Sequence, residues 1–205
     1  MLWSGALAYA QPLNRVDLTR RTLIIDVSNS SVEDVLIVLA TEHRVPIGFE
    51  RSALYQKQIT VQLVRVSLKT VLDSIIAQAP VYRWELKDGV INFVPRIGRD
   101  PFLQTLLSTR VTRYRPLKGT NKFELRNTLA DLLEVKSLLK RNHVTVPRLS
   151  DYAYFPSIYS KPDVDLSVSH TDVRGVLNKI ARESEHNIWF VQWRNEQRRE
   201  LMLGF

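Results

Sequence analysis

Two periodicities alternate along the chain. Leu23-Ile-Ile-Asp-Val27 reads as a strand and runs into the cap residues Ser30 and Ser31. Val32, Val35, Leu36 and Leu39 follow at the spacing of one helix face. Ile47-Gly-Phe49 predicts a short strand, and Ile59-Thr-Val-Gln-Leu63 alternates apolar and polar as a half-buried strand does. Ser67, a preferred N-cap, precedes a stripe of Leu68, Val71, Leu72, Ile75 and Ile76. The runs Tyr82–Leu86 and Val90–Val94 flank Lys87-Asp-Gly89, and Asp-Gly between alternating runs predicts a hairpin. Pro95 ends this first segment.

The same order returns at an offset of 105 residues. Ile59–Leu63 aligns with Val164–Val168, Ser67 with Asp172, and Trp84 with Trp189. The stripe returns as Val173, Val176, Leu177, Ile180 and Ala181. One amphipathic helix can recur by chance. Strand, cap, stripe and Trp in a single register point to duplication. The earlier part repeats more loosely, with Phe123-Glu-Leu125 as strand, Thr128 as cap and Leu129, Leu132 and Leu133 as stripe. Lys136 interrupts that stripe, which predicts either a rotated face using Val135 and Leu139 or a partly exposed one. Val144-Thr-Val146 predicts a short strand, and Asn187–Trp193 with Glu200–Phe205 a closing hairpin.

The expected class is α+β, as two β-α-β-β-α-β units, each with two helices packed on small mixed sheets. The units span 22–95 and 122–205, joined by a basic linker over 96–121 in which Leu103–Leu107 adds a helical turn. Residues 1–10 end in Ala8-Tyr9-Ala10, a small-x-small triplet after a short apolar run. This reads as the remnant of a signal peptide whose start lies upstream, and predicts an exported chain. No later run approaches the ~20 apolar residues of a membrane helix.

A strand, a Ser-x-Glu-Asp-Val-Leu helix, a short strand, then a strand, a Ser-Leu-Lys-x-Val-Leu helix and a hairpin together resemble the short secretin and TonB N-terminal (STN) domain. The matching stretches are Leu23–Phe49, Ile59–Ala79 and Tyr82–Val94. Residues 122–205 resemble it only as a diverged copy. The resemblance implies a periplasmic docking domain that recognises an envelope protein or peptide segment. Pore formation and transport do not carry over, since no secretin or barrel sequence follows in this chain.

Charge changes the picture only in the second half. Residues 1–100 hold 12 Lys and Arg against 10 Asp and Glu, whereas residues 101–205 hold 17 against 11. Arg110, Arg113, Arg115 and Lys118 cluster in the linker. They keep a second class open, binding of nucleic acid or an anionic polymer. The absence of cysteine rules out thiol nucleophiles, disulfides and thiolate metal sites.

Candidate catalytic chemistry is sparse, and the chain reads as non-enzymatic, with no cofactor or metal. His43, His143 and His186 each follow a predicted helix, where imidazole complements the C-terminal partial charge, and His170 precedes a cap. No pair has metal-binding helical spacing, and no glycine-rich phosphate loop or nucleophile elbow is present.

Three surfaces are candidates for a partner. One is an open sheet edge, which accepts an added strand unless charge such as Arg198-Arg199-Glu200 blunts it. The second is Ile188–Trp193, apolar on both faces, where one face meets the helices and the other, with Trp189 and Trp193 or with Ile188 and Phe190, needs a cover from the other unit or from a partner. The third is the aromatic stretch of Tyr152, Tyr154, Phe155 and Tyr159, which suits an interface or a lid over its own core.

Overall fold

The computed structural model describes residues 13–52, 57–117, 120, 122–147, 165–183 and 187–205. Local chemistry accounts for most of the first half. Helix α1 (Arg15–Arg20) opens with a reciprocal box in which Asn14 and Asp17 bond each other's amides. Such a box satisfies first-turn donors that have no partner inside the helix. Strand β1 (Thr22–Ser30) leads to α2 (Val32–Thr41), opened by a second box between Ser31 and Asp34. The buried face of α2 is the predicted Val32, Val35, Leu36 and Leu39, with Ala40. Strand β2 (Ile47–Glu50) is buried along its whole length, the pattern of a strand with neighbours on both sides.

Strand β3 (Ile59–Ser67) pairs antiparallel with β1 and feeds directly into α3 (Leu68–Gln78). Ser67 caps α3, its hydroxyl accepting from the Thr70 amide. Strands β4 (Tyr82–Lys87) and β5 (Val90–Pro95) form the expected hairpin. Its turn residues, Asp88 and Gly89, both have positive φ, as a two-residue type I′ loop requires.

The second half departs from the sequence reading at its start. The stretch expected as a linker carries α4 (Pro101–Ser108), capped by Asp100, and β6 (Arg110–Tyr114). The strand expected at Phe123–Leu125 is part of α5 (Lys122–Ala130), and Thr128 bonds the Glu124 carbonyl inside that helix instead of capping one. The reason is visible in the spacing: Leu125 and Leu129, both buried, stand four apart on one helical face. Helix α6 (Leu133–Arg141) buries Val135, Leu138 and Leu139, whereas Leu133, expected in the stripe with Leu129, is 78% exposed because a turn at 131–132 separates α5 from α6.

Strand β7 (Val168–Asp172) pairs antiparallel with β6, so the second-half strand lies closer to its helix than the expected Val164–Val168. Helix α7 (Val173–Glu183) and the hairpin of β8 (Ile188–Asn195) and β9 (Glu200–Gly204) complete the chain.

The class is α+β, as expected, but the sheets are not confined to the two halves. Two antiparallel pairs, β1–β3 and β6–β7, flank a five-stranded sheet in the order β4-β5-β2-β8-β9. In it β2 runs parallel to β5 on one side and to β8 on the other. One core gathers Leu36, Leu72, Phe49 and Phe93; the other gathers Leu106, Tyr114, Leu177 and Trp189.

Several local geometries occur twice. The first amide of α3, Leu68, donates to the Arg21 carbonyl, and that of α7, Val173, to the Thr109 carbonyl. Val45 donates to Leu39 after α2, and Val144 to Leu139 after α6. Left-handed backbone appears at Arg44 and His143 after those helices, and at Arg65 and His170 two residues before the capping positions of α3 and α7.

Candidate interaction surfaces

The apolar strand Ile188–Trp193 is covered on both faces from within the chain: Ile188 joins the first core and Phe190 packs against it, Trp189 and Val191 lie in the second, and β2 is its parallel neighbour. Ile47, Gly48, Phe49 and Glu50 stand in register with Ile188, Trp189, Phe190 and Val191. Trp189 is fully buried, and its indole N–H donates to the Asn178 side-chain oxygen of α7 at 2.8 Å. The ring lies against Gly48, where a Cβ would come within 2.4 Å of the indole carbons. Trp189 is therefore corrected from a partner-facing residue to the centre of an internal seam. An indole left exposed on the sheet would keep a large apolar area in water, and packing it between α7 and the bare Gly48 backbone removes that area.

A charged cluster fastens the end of this seam. Glu50, 1% exposed, accepts from Arg99 Nε at 2.8 Å and Nη2 at 3.1 Å, and from the Arg174 guanidinium. Arg174 also stands over the Trp189 ring, 5.8 Å from its centroid. Two cations on one carboxylate offset the cost of taking that charge out of water. Neither Glu50 nor Arg174 is marked by any sequence motif.

Trp193 behaves differently. It is partly buried in a cleft of about 400 Å³ lined by Asp100, Phe102, Thr105, Asn142, Glu196 and Arg199, among others. Its indole N–H donates to Asp100 Oδ2 at 2.8 Å, while Asp100 Oδ1 caps α4 through the Leu103 amide. The Phe102 ring sits 5.5 Å away, tilted by 35°. The Arg199 guanidinium lies 5.6 Å from the Trp193 ring, and its Nε donates to the Asn142 carbonyl. The cleft thus offers aromatic faces between a carboxylate, Glu196, and a guanidinium.

Arg110 and Arg113 are exposed on β6, and Arg115 is exposed just beyond it, while Val111 and Tyr114 point inward. Burial pushes the Tyr114 phenol well above its ordinary range, and its hydroxyl donates to the Leu125 carbonyl. Opposite β6, the Glu134 carboxylate accepts from the Thr112 amide at 3.1 Å. Backbone hydrogen bonds, from its own amide and from Thr112, hold its carboxyl below the usual carboxylate range. Tyr152, Tyr154, Phe155 and Tyr159, with Lys118 and His186, lie outside the described residues. Among the described residues no three His, Asp or Glu side chains converge as a metal site, and no helix is long and apolar enough to cross a membrane.

The two edges of the central sheet are unequal. The start of β9 is covered by Thr145, whose amide donates to the Arg199 carbonyl and whose carbonyl accepts from Leu201. Beside β4 no strand lies among the described residues. Because Lys87 and Val90 close the two-residue turn, the alternation of a strand points the Trp84 and Leu86 backbone groups away from β5. The partly buried Trp84 donates its indole N–H to Asp73 of α3 at 3.0 Å, and Asp73 pairs with Lys69, both about half exposed.

Comparison with protein-family models, with curated proteins and with solved structures finds none that matches this chain.

Proposed function

We propose that this chain is a non-catalytic, exported protein-interaction module of the cell envelope, built from two diverged copies of one STN-like docking unit. The observation that carries the reading is a pair of hydrogen bonds 105 residues apart, Trp84 to Asp73 and Trp189 to Asn178. The cap contacts keep the same register, Ser67 with the Thr70 amide and Asp172 with the Gly175 amide. So do the eleven-residue helices α3 and α7. In the second unit the Trp strand already receives a strand from its neighbour, and in the first no strand among the described residues lies on the same edge. Strand addition of this kind gives backbone hydrogen bonds for affinity and side-chain pockets for specificity, which suits a docking role. Export rests on the Ala8-Tyr9-Ala10 triplet.

The test is the intact mass and cell fraction of the native protein, expressed with the codons upstream of Met1 retained. A mature chain beginning at Gln11 in the envelope fraction is the expected result. An uncleaved cytoplasmic chain would sink this reading and promote nucleic-acid binding, which the exposed Arg110, Arg113 and Arg115 favour. That second reading requires oligonucleotide affinity that falls steeply with added salt.

A further inference from the structure

We propose that the outer edge of β4, with Trp84 and Lys69 beside it, binds an extended protein segment that runs parallel to β4 and reads apolar, small, apolar, acidic. This rests on the docking reading above and deepens it by assigning the site and the chemistry of the partner. The internal seam supplies the template. There β8 takes β2 as a parallel neighbour, with Gly48 opposite Trp189 and Glu50 two residues further on. Three features receive β2: an outward strand edge, a Trp held by a helix side chain, and a cation in the first turn of that helix. These are β8, Trp189 on Asn178, and Arg174 on Glu50.

Each feature has its counterpart 105 residues earlier, in β4, Trp84 on Asp73, and Lys69. The residue opposite Trp84 must be small, because the indole covers the neighbouring strand as Trp189 covers Gly48. An acid two residues later meets Lys69, which among the described residues is held by the half-exposed Asp73. Nothing among the described residues occupies this edge.

Among the described residues, the second-half counterpart of β2 does not fit this edge. The segment that corresponds to β2 in the second half is Val144–Pro147. Leu201 donates to the Thr145 carbonyl there as Ile91 donates to Pro46. Pro147 consequently stands where Gly48 stands, with a ring in place of a bare Cα and no N–H to give. The donor strand is therefore taken from another protein.

The probe is a synthetic peptide with the sequence of residues 45–52, titrated to millimolar concentration against the isotope-labelled whole chain. Amide shifts are expected at β4 and the first turn of α3, with slowed hydrogen exchange at Leu86. A peptide carrying Gly48→Val should bind at least about tenfold more weakly, as overpacking against an indole demands. Lys69→Glu in the protein should weaken binding of the original peptide about tenfold.

Equal binding of the Gly and Val peptides, or shifts at the Trp193 cleft instead of β4, would overturn the proposal. So would a Leu86 amide already protected in the free chain, or concentration-dependent shifts at β4 without peptide, which would make the occupant this chain itself. Cell fractionation separates the two levels. Binding at β4 by a cytoplasmic protein retains the site and ends the envelope reading; an envelope protein with a silent β4 does the reverse.

Discussion

Single residues decide how closely the two halves approach. Gly48 is retained for space rather than for backbone freedom, since any side chain there meets the Trp189 ring. Gly48→Ala is expected to destabilise by about 1–3 kcal/mol, the usual range for overpacking, read from the urea midpoint. Tyr114 sets a pH limit. Its folded phenol titrates above the unfolded value of about 10, so its contribution is complete below that pH and is lost as pH rises beyond it. Tyr114→Phe should flatten the loss of stability above about pH 10 relative to wild type, measured by denaturant unfolding across that range. At this scale the sequence is partly legible. The register that aligns Trp84 with Trp189 also aligns Asp73 with Asn178, so the indole partners were readable. Gly48 carried no sign of its role, because the ring that forbids a side chain there is 141 positions away.

Elements followed their local chemistry wherever cap and stripe agreed. Ser67 and Asp172 were legible as caps because each precedes an apolar stripe and has a first-turn amide within reach. Replacing either with Ala should cost about 1 kcal/mol, seen as a lower thermal midpoint. The departures fall at 110–130, where Phe123-Glu-Leu125 alternates as a strand would ahead of Thr128 and yet is helical. Arg110-Val-Thr-Arg-Tyr114 shows only two inward residues and a charged outer face, which left it looking like a linker. It became a strand because β7 supplies its hydrogen bonds. The strand β2 ends on Glu50, which ties it to α7 through Arg174. Glu50→Gln leaves that buried guanidinium without a counter-charge and should destabilise by about 3–5 kcal/mol by equilibrium unfolding.

For the whole molecule, a sheet that takes strands from both halves makes their stabilities interdependent. Thermal unfolding is expected as one cooperative transition, with calorimetric and van't Hoff enthalpies in agreement. Two resolved transitions would mean that the β2–β8 seam carries little energy. The sequence by itself determined the α+β class, the stripes of α2, α3 and α7, the caps Ser31, Ser67 and Asp172, and the Asp-Gly hairpin. All of these depend on residues within about one helical turn or one strand of each other, where side-chain period and backbone preference act directly. Only the tertiary structure decided that Trp189 is internal while Trp193 lines a cleft, that Glu50 gathers Arg99 and Arg174, and that β4 is an outer strand beside which the described residues place no other. Those outcomes depend on which strand lies beside which. That choice is made by shape and charge between segments far apart in the chain, and no local pattern encodes it.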